Sequence, residues 1–166
     1  MSELSRLHPA QPDGQALSVP EGYRLFEHGG PYFSSLGAVY ARPVPEGRTV
    51  FALRIAEQHT NILGVAHGGM LVTLADAAMG TCIGFALAAS GRQSGEPAST
   101  SHANRQPSVT TTLSTEFLAS ARVGDWLEAH AFVRRLGRRM VFTDCSLRTG
   151  EREVLHASGT FMRIDG

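Results

Sequence analysis

Residues 68–91 form a run of 24 positions in which the only formally charged side chain is Asp76. A stretch of that length and composition has two physical outlets, a membrane span or a helix enclosed by its own protein. An aspartate at the centre of a span costs about 3 kcal/mol on insertion scales. A lone span would also leave the surrounding strands without a helix to cover their apolar face. The sequence therefore predicts an enclosed helix over residues 70–89, preceded by Gly68-Gly69 and ended by Ser90-Gly91. On a 3.6-residue period Gly69, Thr73, Asp76, Gly80 and Ile83 fall on one small or polar stripe, opposite Leu71, Leu74, Ala78 and Phe85. Something must approach that stripe closely.

The rest of the chain reads as strands and turns. Residues 1–20 are polar, carry Pro9, Pro12, Gly14 and Pro20, and are expected to be flexible; residues 21–166 then make one domain. Residues 22–36 contain Gly29-Gly30-Pro31 among aromatics, which fits one or two short helical turns. Two β-prone runs between residues 37 and 56 flank the turn chemistry of Pro45-Glu46-Gly47, a hairpin signal. Residues 90–108 offer almost nothing to bury and are expected to be an exposed loop. Beyond it, Leu127, Ala129, Ala131 and Val133 alternate with polar neighbours, as do Val141, Thr143, Cys145 and Leu147, with turns at 122–124, 136–138 and 149–151. The expected order is a hairpin, one long helix and then three strands: an α+β domain with one antiparallel sheet.

Composition narrows the chemistry. The 15 basic and 15 acidic residues cancel, so no net field is available to hold nucleic acid or an anionic membrane. Every basic residue is arginine, which removes Schiff-base lysines and the lysine of a phosphate loop. Cys82 and Cys145 stand 63 positions apart without partners for a metal site, so two buried reduced thiols are expected, with no metal and no cofactor. His28, His59, His102, His130 and His156 lack metal-ligand spacing and read as surface or satisfied core residues. No Gly-x-Ser-x-Gly elbow is present. The first 15 residues have neither a basic start nor an apolar run, and a cytoplasmic location is expected.

A carboxylate inside an apolar helix is costly unless it is paired or used. Asp76 therefore either accepts a structural hydrogen bond at a subunit contact or does chemistry. Just upstream, Gly68-Gly69 opens the helix, where backbone N–H groups lack intrahelical partners and the dipole favours negative charge. An oxyanion can be held there, although Gly-Gly before a helix is more often only a tight turn.

The pattern N-x-x-G-x-x-H-G-G-x-x-x-x-L-A-D, from Asn61 to Asp76, closely resembles the hotdog-fold acyl-CoA thioesterases of the phenylacetate-degradation (PaaI-like) branch. The resemblance begins at Pro31-Tyr32-Phe33-Ser34-Ser35-Leu36-Gly37. It continues through Thr115-Glu116-Phe117-Leu118 to Ser158-Gly159-Thr160-Phe161, about four fifths of the chain. It implies a curved antiparallel sheet wrapped around one long central helix, and a homodimer with two active sites at the subunit interface. Association into tetramers is common in that family. By the same resemblance Asp76 is nucleophile or general base, the Gly68 N–H polarises the thioester carbonyl, and Asn61 and His67 place the thioester and the attacking water. Thr110 or Thr111 lies nearest the position of a hydroxyl that contributes in some members.

Gly69 and Thr73, on the Asp76 stripe, are expected to line the substrate. The cluster of Arg134, Arg135, Arg138 and Arg139 is either a solvated face or, through Arg138 and Arg139, a grip on coenzyme A phosphates. Gly68 and Asp76 are eight residues apart, roughly 12 Å along a helix. One carbonyl cannot touch both within a chain, so a shared site needs Gly68 of one subunit and Asp76 of another. Two other functions keep the fold. A hotdog hydratase or dehydratase would have a Pro-rich loop after the histidine, where this chain has Gly-Gly; a non-catalytic acyl-CoA-binding protein would use Asp76 for structure alone.

Overall fold

The computed structural model describes residues 18–27, 29–45, 48–90 and 108–164. In chain order the elements are β1 (Arg24–Leu25), α1 (Gly30–Ser34), β2 (Val39–Val44), β3 (Arg48–Arg54), α2 (Gly68–Ala89), β4 (Ser108–Phe117), β5 (Trp126–Leu136), β6 (Met140–Thr149) and β7 (Arg152–Arg163). A short 3-10 turn at Glu57–His59 sits between β3 and α2. All seven strands belong to one sheet of order β1-β2-β3-β5-β6-β7-β4, and every neighbouring pair is antiparallel.

Helix α2 packs against β3, β5, β6, β7 and β4. Five strands at about 4.8 Å spacing span roughly 19 Å, about twice the width of a helix with its side chains. Reaching all five requires the sheet to curl around α2. The strand period chooses what faces the helix. Phe51 and Leu53 on β3, Leu127 and Ala129 on β5, Val141, Cys145 and Leu147 on β6, and Leu155, Ala157 and Phe161 on β7 are all buried against it. From α2 come Leu71, Leu74, Ala75, Ala78, Met79, Cys82, Ile83 and Leu87. Each large side chain so enclosed contributes about 1.5–3 kcal/mol of transfer free energy. At Gly159 a Cβ would sit 2.9 Å from the Phe161 ring on the same strand and 3.2 Å from Met79 Sδ, so glycine there lets α2 settle closely onto β7.

The hairpin expected between residues 37 and 56 is β2–β3, in register from Val39↔Leu53 to Val44↔Arg48. Several expectations change. Four strands, not three, follow α2: β4 comes before the β5–β6–β7 meander and pairs with β7 across a crossover. The helix starts at Gly68, two residues before Met70, because the His67 carbonyl and Nδ1 accept the first N–H groups of the turn. Ile83 leaves the polar stripe: it is buried in the core, while Phe85 is only half-buried. The flexible segment expected over residues 1–20 lies outside the described residues up to position 17, and most of the loop expected over 90–108 does so as well. Helix α2 is long and apolar enough to cross a membrane, yet half of that stretch is buried inside this fold, as a core helix is.

Candidate active site

The N-terminal end of α2 is built by a short turn. The Asn61 Oδ1 accepts the Leu63 N–H at 2.9 Å, and the Asn61 carbonyl accepts the Gly64 N–H at 3.0 Å. Gly64 takes φ of 70°, which closes the turn. Below it His59 is buried, and its Nδ1 accepts the Ala56 N–H at 3.0 Å, so the ring proton sits on Nε2 and is donated to the Leu36 carbonyl at 2.7 Å. His59 is thus a satisfied core histidine that ties the α1 end to the turn.

His67 is the N-cap of α2. Its carbonyl accepts the Met70 and Leu71 N–H groups at 3.0 and 3.2 Å, and its Nδ1 accepts the Gly69 N–H at 2.9 Å. With Nδ1 accepting, the neutral ring carries its proton on Nε2 and presents a donor outward from an exposed position. The Gly68 N–H, at the first helical position, has no acceptor among the described residues. A Cβ on Gly68 would lie 3.1 Å from the Phe117 ring, so a glycine there lets that ring cover the helix end.

Two turns further along α2 stands half-buried Asp76. Its Oδ1 accepts the Thr110 hydroxyl at 2.8 Å. Thr111, the other candidate, instead donates its hydroxyl to the Thr160 carbonyl at 2.9 Å. The pairing of β4 with β7 shifts register between Thr110 and Thr112, and that bulge aims the two hydroxyls at different partners. Thr73, one turn before Asp76, donates its hydroxyl to the Gly69 carbonyl at 2.9 Å.

Around Asp76 opens a cleft of roughly 470 Å³, walled by Tyr32 and Phe33 of α1, Val72, Thr73 and Ala77 of α2, and Thr110 and Leu113 of β4. The sequence marked α1 only as short helical turns where the resemblance begins, not as a wall of the site. Pro31-Tyr32-Phe33 has no periodicity of its own, and only the tertiary packing of Phe33 reveals its place. Arg138 and Arg139 are exposed in the β5–β6 turn and do not line this cleft. Their carbonyls accept bonds from Arg163 at 3.0 and 2.8 Å, and Arg134 of the same cluster pairs with Asp144 at 3.3 Å. Both cysteines are buried free thiols, and burial pushes Cys82 up to about 12 and Cys145 higher still, which leaves neither as a nucleophile near neutrality.

Within one chain, Gly68 and Asp76 remain separated by the roughly 12 Å that eight helical residues impose. A single chain therefore presents two separate features: a helix end with an open N–H, and a carboxylate with its hydroxyl partner in a cleft.

The model of the thioesterase superfamily matches residues 63–156. A Pseudomonas aeruginosa protein, PA0474, whose name gives it as a candidate esterase, is 42% identical over 145 residues, which are 87% of this chain and 97% of that one. Among solved structures, the Escherichia coli PaaI protein of the phenylacetic acid degradation operon superposes with a TM-score of 0.66 at 22% identity, covering 82% of this chain and 87% of its own. The Bacillus halodurans protein BH2602, solved with CoA, gives a TM-score of 0.65 at 24% identity over 84% of this chain and 82% of that chain. With a curled antiparallel sheet around one central helix, the hotdog fold, and a family match over more than half its length, this chain belongs to the thioesterase superfamily.

Proposed function

We propose that the protein hydrolyses acyl-CoA thioesters to a free acid and coenzyme A, at a site completed by a second copy of the chain. The observation that carries this reading is the carboxylate of Asp76, fixed through Oδ1 by Thr110 at the edge of a largely apolar cleft. That leaves Oδ2 to act. The CoA carried by the superposed Bacillus halodurans protein supports a CoA ester as the substrate.

In this mechanism the thioester carbonyl oxygen lies on the Gly68 N–H, where an unpaired donor and the helix dipole stabilise the charge that develops on it. Asp76 of the partner chain either attacks the carbonyl carbon, giving an acyl-enzyme that water then cleaves, or takes a proton from a water that attacks. Collapse of the tetrahedral intermediate breaks the C–S bond and releases the CoA thiolate, which takes up a proton. His67 presents its Nε2–H, and Asn61 its carboxamide, beside the same helix end.

Three features support a dimer. Ten-residue β4 is an edge strand, exposed along most of its length. Gly69, Thr73, Asp76 and Gly80 of α2 are not buried by the rest of the chain. Ile62, Leu63, Phe117 and Leu118 are large apolar residues left exposed near the helix end, Ile62 completely.

The test is free-thiol release from a panel of acyl-CoA esters, with hydration of crotonyl-CoA followed in parallel. Thiol release that Asp76→Asn lowers at least about 100-fold, with folding intact, is the expected result. Hydration without thiol release, or binding without either reaction, would overturn the reading.

A further inference from the structure

We infer that the Asp76 cleft accepts an uncharged, apolar acyl tail, and that Tyr32 on α1 sets its length. This inference rests on the reading of the cleft as the acyl site of a thioesterase.

Tyr32 and Phe33 are neighbours on a five-residue helix and do opposite things. Phe33 is buried and meets Phe26 edge-on at 6.2 Å, which pins α1 to the core. Tyr32 is left 73% exposed on the other side, lining the cleft. Its hydroxyl stands 3.5 Å from Thr73 Oγ1. The single Thr73 proton is already given to the Gly69 carbonyl, so in this pair Tyr32 is the donor. Thr73 lies three positions before Asp76, on the same side of α2. The Tyr32 ring therefore reaches across from α1 to the α2 stripe and walls the cleft that holds the carboxylate.

The lining gives the class of acyl group. Phe33, Val72, Ala77 and Leu113 supply the apolar wall, and the only charged group lining the cleft among the described residues is Asp76 itself. A terminal carboxylate on the acyl chain would meet apolar surface and a like charge, with no cation to pair it among the described residues of the chain that lines the cleft. An alkyl tail would meet surface of its own kind and end against the Tyr32 ring, carried on the helix that Phe33 pins to the core.

The test is a kcat/KM series of straight-chain acyl-CoA esters from acetyl to dodecanoyl, with succinyl-CoA beside butyryl-CoA, on the wild type, Tyr32→Ala, Tyr32→Phe and Tyr32→Trp, each checked by circular dichroism. Tyr32→Ala is expected to move the optimum to longer chains by about two carbons and to raise the ratio of longest to preferred substrate at least about tenfold, the low end of what one methylene is worth in an apolar pocket. Tyr32→Phe keeps the ring and should keep the profile, while Tyr32→Trp should shorten it, so the question stays answerable if the alanine variant does not fold. Butyryl-CoA should exceed succinyl-CoA at least about tenfold in the wild type. An active wild type whose chain-length profile is the same in all three variants overturns the role of Tyr32 alone. Equal use of succinyl-CoA overturns the uncharged class. A wild type that releases no thiol from any ester overturns the thioesterase reading and this inference with it.

Discussion

The Thr110 hydroxyl donates to Asp76 Oδ1 at 2.8 Å, joining two residues 34 positions apart that lie on different elements. The bond ties β4 to the middle of α2. It also leaves the carboxylate with one oxygen that is held and one without a hydrogen bond among the described residues.

Thr110→Val removes that donor while keeping the shape of the side chain. A hydrogen bond to a charged group is worth about 1.5–3 kcal/mol, so kcat should fall at least about tenfold. Thr111→Val, whose hydroxyl serves the Thr160 carbonyl, should leave kcat within about twofold of wild type. Equal losses in the two variants would show that the bond to Asp76 carries no special weight.

Gly159→Ala tests the packing of α2 on β7. The added Cβ would stand 2.9 Å from Phe161, 3.1 Å from Thr143 Oγ1 and 3.2 Å from Met79 Sδ, in a region with no free side. Overpacking of this kind costs about 1–3 kcal/mol. Tm measured by calorimetry should drop by several degrees, and an unchanged Tm would mean that Met79 and Phe161 yield freely.

A pH dependence follows from Tyr23. Burial, and then its 2.6 Å bond to Glu128, push the phenol up to about 12 from an ordinary 10. A group raised on folding stabilises the native state fully below its unfolded value and loses that contribution as pH rises through the folded value. Stability should therefore fall between about pH 10 and pH 12 by an increment that Tyr23→Phe abolishes. Ultraviolet titration showing Tyr23 ionising near 10 in the native protein would contradict this.

Much of the fold was legible because two periods are written into the chain. Alternation at Val141, Thr143, Cys145 and Leu147 gave the buried face of β6, and the single charge in an apolar run gave α2 and Asp76. The helix stripe was less legible toward its end. A helix wrapped by a curled sheet is apolar on most sides, so its period is shallow, and Ile83 was placed on the wrong face. The strand count fell one short although the turn at 122–124 separates β4 from β5; what no local signal records is the long-range return of β4 to pair with β7. The same holds for the site. The run from Asn61 to Asp76 is local and could be read directly. The choice between Thr110 and Thr111 depends on a bulge, and the wall at Tyr32 depends on how α1 packs.

The shared site is tested most directly by mixing two inactive variants, Asp76→Ala and Gly68→Pro. Proline is tolerated at a first helical position and removes the N–H in question, and its added Cβ, 3.1 Å from the Phe117 ring, asks that exposed ring to shift. In the mixed dimer one site carries both lesions, and the other has an intact Gly68 from one chain and an intact Asp76 from its partner. Purified heterodimer, with both variants shown to fold, should recover about half of the wild-type turnover per dimer. A heterodimer as inactive as its two parents would contradict a site divided between Gly68 of one subunit and Asp76 of the other.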